Sequence, residues 1–223
     1  MSKPTIYTYT GLRVDLSDLR PEQINIKDIV HALSLCNRFA GHTREPVSVA
    51  QHSVYASCLC SGPAALQALL LDASEAYLGD VTKWLKSTPE MAAYRRMEDT
   101  IQHAIYRRFG CREEDDAQVV QADKLLVRFE MGVSMIDGCT VGGLNPEREI
   151  DYPPLTDQEV LKVTSLFGGW SFWPWRQAED TFLRRFHSLT ENIYAHQDQE
   201  RKHSVQRASE WDSYGPDPDL CAS

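Results

Sequence analysis

The chain has 223 residues, of which 42% are hydrophobic and 25% charged, and its formal net charge is −9. This composition is that of a globular protein, and it excludes wholesale disorder, collagen and long coiled coils. The length favours one domain, or one domain with a tail. The acidic balance argues against a nucleic-acid polymer or an anionic membrane as partner, because both attract basic surfaces. A small phosphorylated substrate is not excluded, since it needs only a local basic or metal-lined pocket.

The sequence also predicts where the protein resides. No stretch approaches the ~18 uncharged apolar residues of a membrane span. The polar start, Met1-Ser2-Lys3-Pro4, has no apolar signal region. The six cysteines are too sparse for a disulfide framework and form no CxxC pair. We therefore expect a cytoplasmic protein with reduced thiols and no membrane association.

The predicted elements begin with a small β-hairpin and continue as helices. The alternating run 5–10, Gly11 and the apolar positions of 12–16 predict the hairpin. Asn25 or Asp28 is the candidate N-cap of a first helix, and Ser48 that of a second. Hydrophobic periodicity and Gly or Pro breaks predict helices over 29–35, 49–59, 64–77, 89–109, 113–131, 155–167 and 174–195. A loop is expected over 132–154. The prediction is a mostly α domain over 1–195 and a polar, disordered tail over 196–223.

The segment from Gly168 to Trp175 concentrates aromatic residues between two predicted helices. Its side chains could anchor the last helix to the core, which is the interpretation we favour. A partner-binding surface and a lid over a pocket are the alternatives.

Carboxylates in apolar stretches carry the first chemical signal. Asp72 follows three leucines, and Asp123 interrupts an apolar helical stripe. A buried carboxylate is costly unless it is paired or binds a metal. Together with His52 on an earlier helix, these residues predict a metal site in a helical core. Glu75 lies three residues after Asp72, on the same predicted helix face. The alternatives are a salt-bridged or capping carboxylate and a hydrogen-bonded core histidine.

The second chemical signal is a group of basic residues. The residues concerned are Arg38, His42, Arg44, Lys83 and Lys86. Cations beside a carboxylate cluster predict an anionic substrate bridged to a metal. The alternative is a solvated surface patch.

Two runs carry a resemblance to a known family. They are Asn37-Arg38-Phe39-Ala40-Gly41-His42 through Ala50-Gln51-His52-Ser53, and Leu70-Leu71-Asp72-Ala73-Ser74-Glu75 through Gly79-Asp80 with Lys86. The joint pattern resembles the HD-domain phosphohydrolase superfamily, especially small bacterial and phage 5′-deoxynucleotidases and phage dATP triphosphohydrolases. The similarity covers residues 5–190. It implies a helical bundle, a bacterial or phage source, and a homo-oligomer, since dimers are common among such proteins.

The resemblance also implies roles for single residues. It makes His52, Asp72 and Asp123 ligands of a divalent ion, which could be Mn, Co, Mg, Zn or Ni. Glu75 and Asp80 would handle the attacking water or the leaving oxygen. The substrate-binding positions would be Arg38 and Phe39, with His42 and Lys83 helping to offset phosphate charge.

One position departs from the family pattern. The histidine of the family's His-Asp dipeptide is Leu71 here, and leucine cannot ligate a metal. The site could work with His52, Asp72, Asp123 and extra waters, as Mn²⁺ and Mg²⁺ tolerate oxygen-rich shells. A nearby histidine, His42 or His31, could substitute. Alternatively, the protein could be a catalytically impaired relative that binds nucleotides.

The predicted function is therefore metal-dependent hydrolysis of phosphate from mono- or triphosphate (deoxy)nucleotides. The alternative is a nucleotide-binding or regulatory protein on the same fold. A plain helical interaction protein is a third hypothesis.

Overall fold

A computed structural model describes residues 3–135 and 154–191. Two short strands and nine helices make up its described regular structure, apart from short 3-10 turns. The strands are β1 Thr5–Tyr7 and β2 Arg13–Asp15. The helices are α1 Ile26–Leu35, α2 Val49–Leu59, α3 Pro63–Leu69, α4 Glu75–Leu78, α5 Lys83–Lys86, α6 Ala92–Phe109, α7 Ala117–Ser134, α8 Asp157–Thr164 and α9 over 175–191. The prediction of a mostly α protein with an N-terminal hairpin is confirmed.

The hairpin is antiparallel, with Ile6 opposite Val14. Its turn is fixed to α1 by a buried carboxylate. Asp28 accepts hydrogen bonds from the backbone N–H of Thr10 at 2.6 Å and from its hydroxyl at 2.9 Å. Of the two N-cap candidates for α1, the cap is Asn25, whose side chain accepts from the backbone N–H of Lys27 at 3.0 Å.

Helix α2 is the centre of the core. Ser48 caps it as predicted, accepting from the backbone N–H of Gln51 at 3.1 Å. Every residue from Val49 to Ser57 is buried, so α2 is covered on all sides. It packs against α1, α3 and α7. A side chain on α2 is therefore shielded from water unless a cavity reaches it.

The predicted single helix over 64–77 is wrong. Helix α3 ends at Leu69, residues 70–74 form turns, and α4 starts at Glu75. The side-chain amide of Gln102 on α6 stabilises this break. It donates to the carbonyl of Leu70 at 2.7 Å and accepts from the N–H of Ser74 at 3.0 Å. These bonds replace helical partners that the backbone would otherwise need.

Helix boundaries elsewhere shift by a few residues. Helix α7 starts at Ala117 rather than 113, because Asp116 caps it, accepting from the N–H of Gln118 at 2.8 Å. Helix α7 also continues to Ser134, past the predicted start of the loop. Thr156 and Glu159 form the expected capping box of α8. Gly110 ends α6 in a left-handed conformation, with φ 74°.

The aromatic segment before α9 packs inward at its centre. Trp173 is buried, and its ring centroid lies 5.4 Å from that of Tyr55 on α2. The side chain of Gln51 accepts from the Trp173 N–H at 3.0 Å and donates to the Ser171 carbonyl at 2.8 Å. This arrangement agrees with the anchoring interpretation.

The chain divides into two compact units, Met1–Phe186 and His187–Ser223. Of the second unit the structure describes only 187–191, the end of α9. Residues 136–153 of the predicted loop over 132–154, the end of the last predicted helix and the tail over 196–223 lie outside the described residues. The domain boundary at 195 stays a prediction. None of the described helices has the length and apolarity to cross a membrane.

Candidate functional site

A cavity of about 260 Å³, lined by charged and apolar residues, opens beside α4, α5 and α7. Seven of the nine predicted site residues line it. They are Arg38, Phe39, Asp72, Glu75, Asp80, Lys83 and Asp123. The sequence separation of these residues spans 85 positions, from 38 to 123, so the fold gathers them from several elements.

His52 lies beneath this cavity, on the buried helix α2. Its side chain is 1% exposed, and its Nε2 lies 3.3 Å from Oδ1 of Asp123 and 3.6 Å from Oδ2 of Asp72. Asp72 comes from the turn between α3 and α4, and Asp123 from α7. The structure thus brings together the three residues that were predicted as metal ligands. His52 Nε2 itself is buried without a well-formed hydrogen bond.

Sequence reasoning missed a fourth member, Glu130. Its carboxylate has no exposed surface and accepts from Nδ1 of His52 at 2.9 Å and from Nε of Arg38 at 2.8 Å. Glu130 lies seven residues after Asp123, two turns along α7. The signal that identified Asp123, a carboxylate inside an apolar helical stripe, applies equally to Glu130.

Arg38 joins this buried cluster to the cavity. Besides Glu130, it contacts Oδ2 of Asp72 through Nη1 at 3.3 Å. It belongs to a 3-10 turn over Arg38–Gly41, in which Phe39 and Ala40 have positive φ angles of 56° and 50°. Such angles are unfavourable for residues with a Cβ and concentrate at functional sites. The Arg38 N–H donates to the Val47 carbonyl at 2.9 Å, which fixes the turn beside α2.

Charges in the cluster depend strongly on one another. Burial and the nearby Arg38 lower the pKa of His52, but Glu130 and Asp123 outweigh them and raise it to about 10. Burial would raise the pKa of Glu130, yet Arg38 and His52 hold it below its ordinary value. The Nδ1–H of His52 is thus a donor to an ionised Glu130, and Nε2 faces the cavity carboxylates.

The pKa values of Glu75 and Asp80 are shifted in the opposite direction from that of Asp123. Burial, with Asp72 and Asp80 nearby, raises the pKa of Glu75 well above its ordinary value. Burial also raises the pKa of Asp80. For Asp123, burial acts upward, but its close contact with the charge of His52 holds the pKa below the ordinary value. The cavity therefore places two carboxyl groups of raised pKa near one whose pKa is lowered, an arrangement suited to acid–base chemistry.

The donor atoms of His52, Asp72 and Asp123 suit a divalent ion both in chemical type and in spacing. One imidazole nitrogen and two carboxylates suit Mn²⁺ or Mg²⁺ with waters completing the shell. Two donors about 2.1 Å from one ion lie roughly 3.0–3.4 Å apart, which is close to the His52–Asp123 and His52–Asp72 separations. As they stand, however, no three His, Cys, Asp or Glu side chains within 3–135 and 154–191 form a complete ligand group. The Arg38–Asp72 contact is the feature that ion binding would have to displace.

Leu71 lies on a different cavity from Asp123. This second cavity, of about 220 Å³, is lined by Leu71, several carboxylates and His103, and it shares only Asp72, Glu75 and Lys86 with the first. The substitute histidines suggested by the sequence lie elsewhere. His42 is exposed and is not part of the cavity lining, and His31 stacks on Tyr9 and pairs with Glu179 at 3.0 Å.

Of the other predicted basic residues, two lie on the cavity wall and one lies near the end of α7. Lys83 and Lys86 belong to α5 on the cavity wall, and Lys86 pairs with Glu98 at 2.9 Å. Arg44 instead donates to the Val133 carbonyl near the end of α7. The expected basic cluster is thus only partly assembled at the cavity.

Together, the fold and the site define a mostly α protein with a buried His–Glu–Arg cluster beneath a carboxylate-lined cavity. The chain is 35% identical over 186 residues to the uncharacterized protein YfdR of Escherichia coli strain K12, an alignment covering 83% of this chain and 96% of YfdR. The chain therefore belongs to the YfdR family. It is also 37% identical over 114 residues to the uncharacterized protein RCAP_rcc00048 of Rhodobacter capsulatus, covering 45% of this chain and 56% of that one. No protein-family model matches the chain.

Proposed function

We propose that the protein is a metal-dependent phosphohydrolase of (deoxy)nucleotides. The observation that carries the proposal is His52, whose buried Nε2 lies within 3.6 Å of both Asp72 and Asp123. A buried imidazole that is oriented by a carboxylate on its other nitrogen is the usual state of a metal-ligating histidine. The resemblance of the two sequence runs to HD-domain phosphohydrolases supports the same chemistry.

In this proposal His52, Asp72 and Asp123 would hold the ion. When bound, a divalent ion polarises a phosphoryl oxygen and lowers the pKa of bound water. Glu130 maintains the orientation of His52, since it fixes the proton on Nδ1. The other cavity residues would act on the substrate and on the attacking water.

Glu75 and Asp80 supply proton transfer in the proposed reaction. Their raised pKa values leave a larger protonated fraction near neutral pH than ordinary carboxyl groups have. Glu75, 5% exposed in its side chain, is the better proton donor to the leaving oxygen. Asp80 then orients the attacking water. Arg38 and Lys83, both on the cavity wall, offset the charge of the phosphate.

A hydrolysis screen tests the proposal. Deoxy- and ribonucleoside mono- and triphosphates are incubated with Mn²⁺, Co²⁺, Mg²⁺ or Ni²⁺, and released phosphate, pyrophosphate and triphosphate are measured. Asp72→Asn and Asp123→Asn should each lower turnover more than about 100-fold, as loss of a group that only orients a ligand already costs about 10–100-fold. Asp180→Asn, an exposed substitution on α9, is the matched control. Unchanged turnover in both site variants would refute the assignment.

A nucleotide-binding regulator without turnover is the second candidate. The observation favouring it is the 3.3 Å contact of Arg38 with Asp72, which gives this carboxylate a partner without any ion. Leu71 in place of a ligand histidine points the same way. This candidate predicts that nucleotides raise the melting temperature with or without metal, and that no phosphate is released.

A further inference from the structure

Trp84 is a large aromatic side chain that the proposed chemistry does not use. It lies on helix α5, lines the same cavity as Asp72 and Asp123, and is 52% exposed. The cavity lining combines charged residues with apolar ones. The apolar lining residues are Phe39, Val81, Trp84 and Val127. A cavity of this kind suits a ligand with one anionic end and one flat apolar end.

The backbone that carries Trp84 is held in place. The guanidinium of Arg95 on α6 donates to the carbonyls of Lys86 and Thr88, the latter at 2.8 Å. The Ser87 hydroxyl donates to the Trp84 carbonyl at 2.8 Å. The four-residue helix α5 is therefore fixed at its C-terminal end, so Trp84 lines the cavity from a fixed backbone. Such preorganisation lowers the entropy cost of binding.

We propose that Trp84 is the stacking surface for the base of the bound nucleotide. This inference rests on the proposed function, because it assumes that the phosphate lies at the carboxylates and cations of the cavity. Every nucleobase has a flat π face, so stacking on indole favours nucleotides over base-free phosphoesters without selecting one base. Trp84 then acts on substrate affinity, whereas the charged residues act on the chemical step.

The neighbouring residue offers a matched control. Leu85 is on the same short helix and is also 52% exposed, but it does not line the cavity. Substitutions Trp84→Ala, Trp84→Phe and Leu85→Ala are compared with the unsubstituted protein. The substrates are deoxynucleoside mono- and triphosphates, with deoxyribose 5-phosphate and tripolyphosphate as the base-free counterparts.

We expect Trp84→Ala to raise KM for nucleotides about tenfold or more, with kcat little changed, because stacking acts mainly on binding. KM for the base-free counterparts should stay the same. Trp84→Phe should retain most of the affinity, since phenylalanine keeps an aromatic face, and Leu85→Ala should behave as the unsubstituted protein.

Several results would overturn the role of Trp84. They are equal losses with nucleotide and base-free substrates, an unchanged KM in Trp84→Ala, or an equal effect of Leu85→Ala. In each of these cases nucleotide turnover by the unsubstituted protein leaves the proposed function standing. A protein that neither hydrolyses nucleotides with any metal nor gains thermal stability from them overturns both proposals together.

Discussion

Glu130 and His52 form a buried hydrogen bond of 2.9 Å, with at most 1% of either side chain exposed. Glu130 also accepts from Arg38, so one carboxylate balances two cationic groups. Breaking a buried ion pair by removing one partner leaves the other charge uncompensated. This relationship makes Glu130 the residue on which the stability and the geometry of the site both depend.

Replacement of Glu130 tests this dependence. We expect Glu130→Ala to lower the free energy of unfolding by about 3–5 kcal/mol, because Arg38 and His52 lose their buried counter-charge. Urea unfolding measures the change. The control is Glu113→Gln in the exposed Arg107–Glu113 pair, whose side chains are about half exposed and which should contribute about 0–1 kcal/mol. Comparable losses in the two variants would contradict the central role of Glu130.

Metal binding should release protons. With a pKa raised to about 10, His52 is protonated at pH 7 in the ion-free protein, whereas a metal-ligating imidazole must be neutral. About one proton should leave per ion bound, and apparent affinity should rise with pH up to about 10. Calorimetric titration of Mn²⁺ in buffers of different ionisation enthalpy measures the release. His31→Gln should leave the value unchanged, and binding heats that do not depend on the buffer would exclude His52 as a ligand.

The raised pKa of His52 also makes the stability of the ion-free protein depend on pH. A pKa that is higher in the folded state than in the unfolded state means that the protonated form stabilises the fold. The contribution of His52 is therefore fully present below its unfolded pKa of about 6.5. It is lost as pH rises through about 10.

Leu71→His should not restore a stronger site. Leu71 lines the second cavity rather than the one that contains Asp123, and Gln102 fixes the turn around it. We expect the metal affinity and turnover of this variant to stay within about threefold of the unsubstituted values, against the 10–100-fold effects typical of groups that act on a metal. The double variant Leu71→His/Gln102→Ala tests whether the turn is the obstacle. A tenfold gain from Leu71→His alone would show that the turn reorganises.

Trp173→Ala tests whether the aromatic segment anchors the protein or closes over the cavity. Trp173 is 5% exposed and packs against Tyr55, so truncation should lower the free energy of unfolding by about 3–5 kcal/mol. Phe172→Ala, at a partly exposed position beside Arg44, should have a much smaller effect. Thermal or urea unfolding measures both. A detachable lid would instead give unchanged stability with altered KM.

Local structure could be predicted from the sequence where it depends on a few neighbouring residues. The Ser48 cap, the capping box at Thr156 and the hairpin follow from residues within a few positions of one another. The break at residues 70–74 could not be predicted in this way, because it depends on Gln102, nearly thirty residues further along the chain. The apolar pattern of this segment is that of a buried helix, and tertiary hydrogen bonds override it.

In the candidate site too, single residues could be predicted from the sequence, whereas their arrangement in space could not. Asp72 and Asp123 were recognisable because a carboxylate in an apolar stretch is expensive. The convergence of these residues with His52 follows from the packing of α2 against α7 and from the turn that carries Asp72. Which side of this turn Leu71 faces depends on three-dimensional structure, so the sequence alone left the alternatives for Leu71 open.

The turn that carries Arg38 has a cost that the rest of the fold must offset. Phe39 and Ala40 are both in the left-handed region, where a residue with a Cβ is less favourable by roughly 1–2 kcal/mol. Glycine at position 40 would relieve part of this cost and also widen the range of conformations open to the neighbouring guanidinium. At this position, lower backbone strain therefore comes with a less firmly placed Arg38.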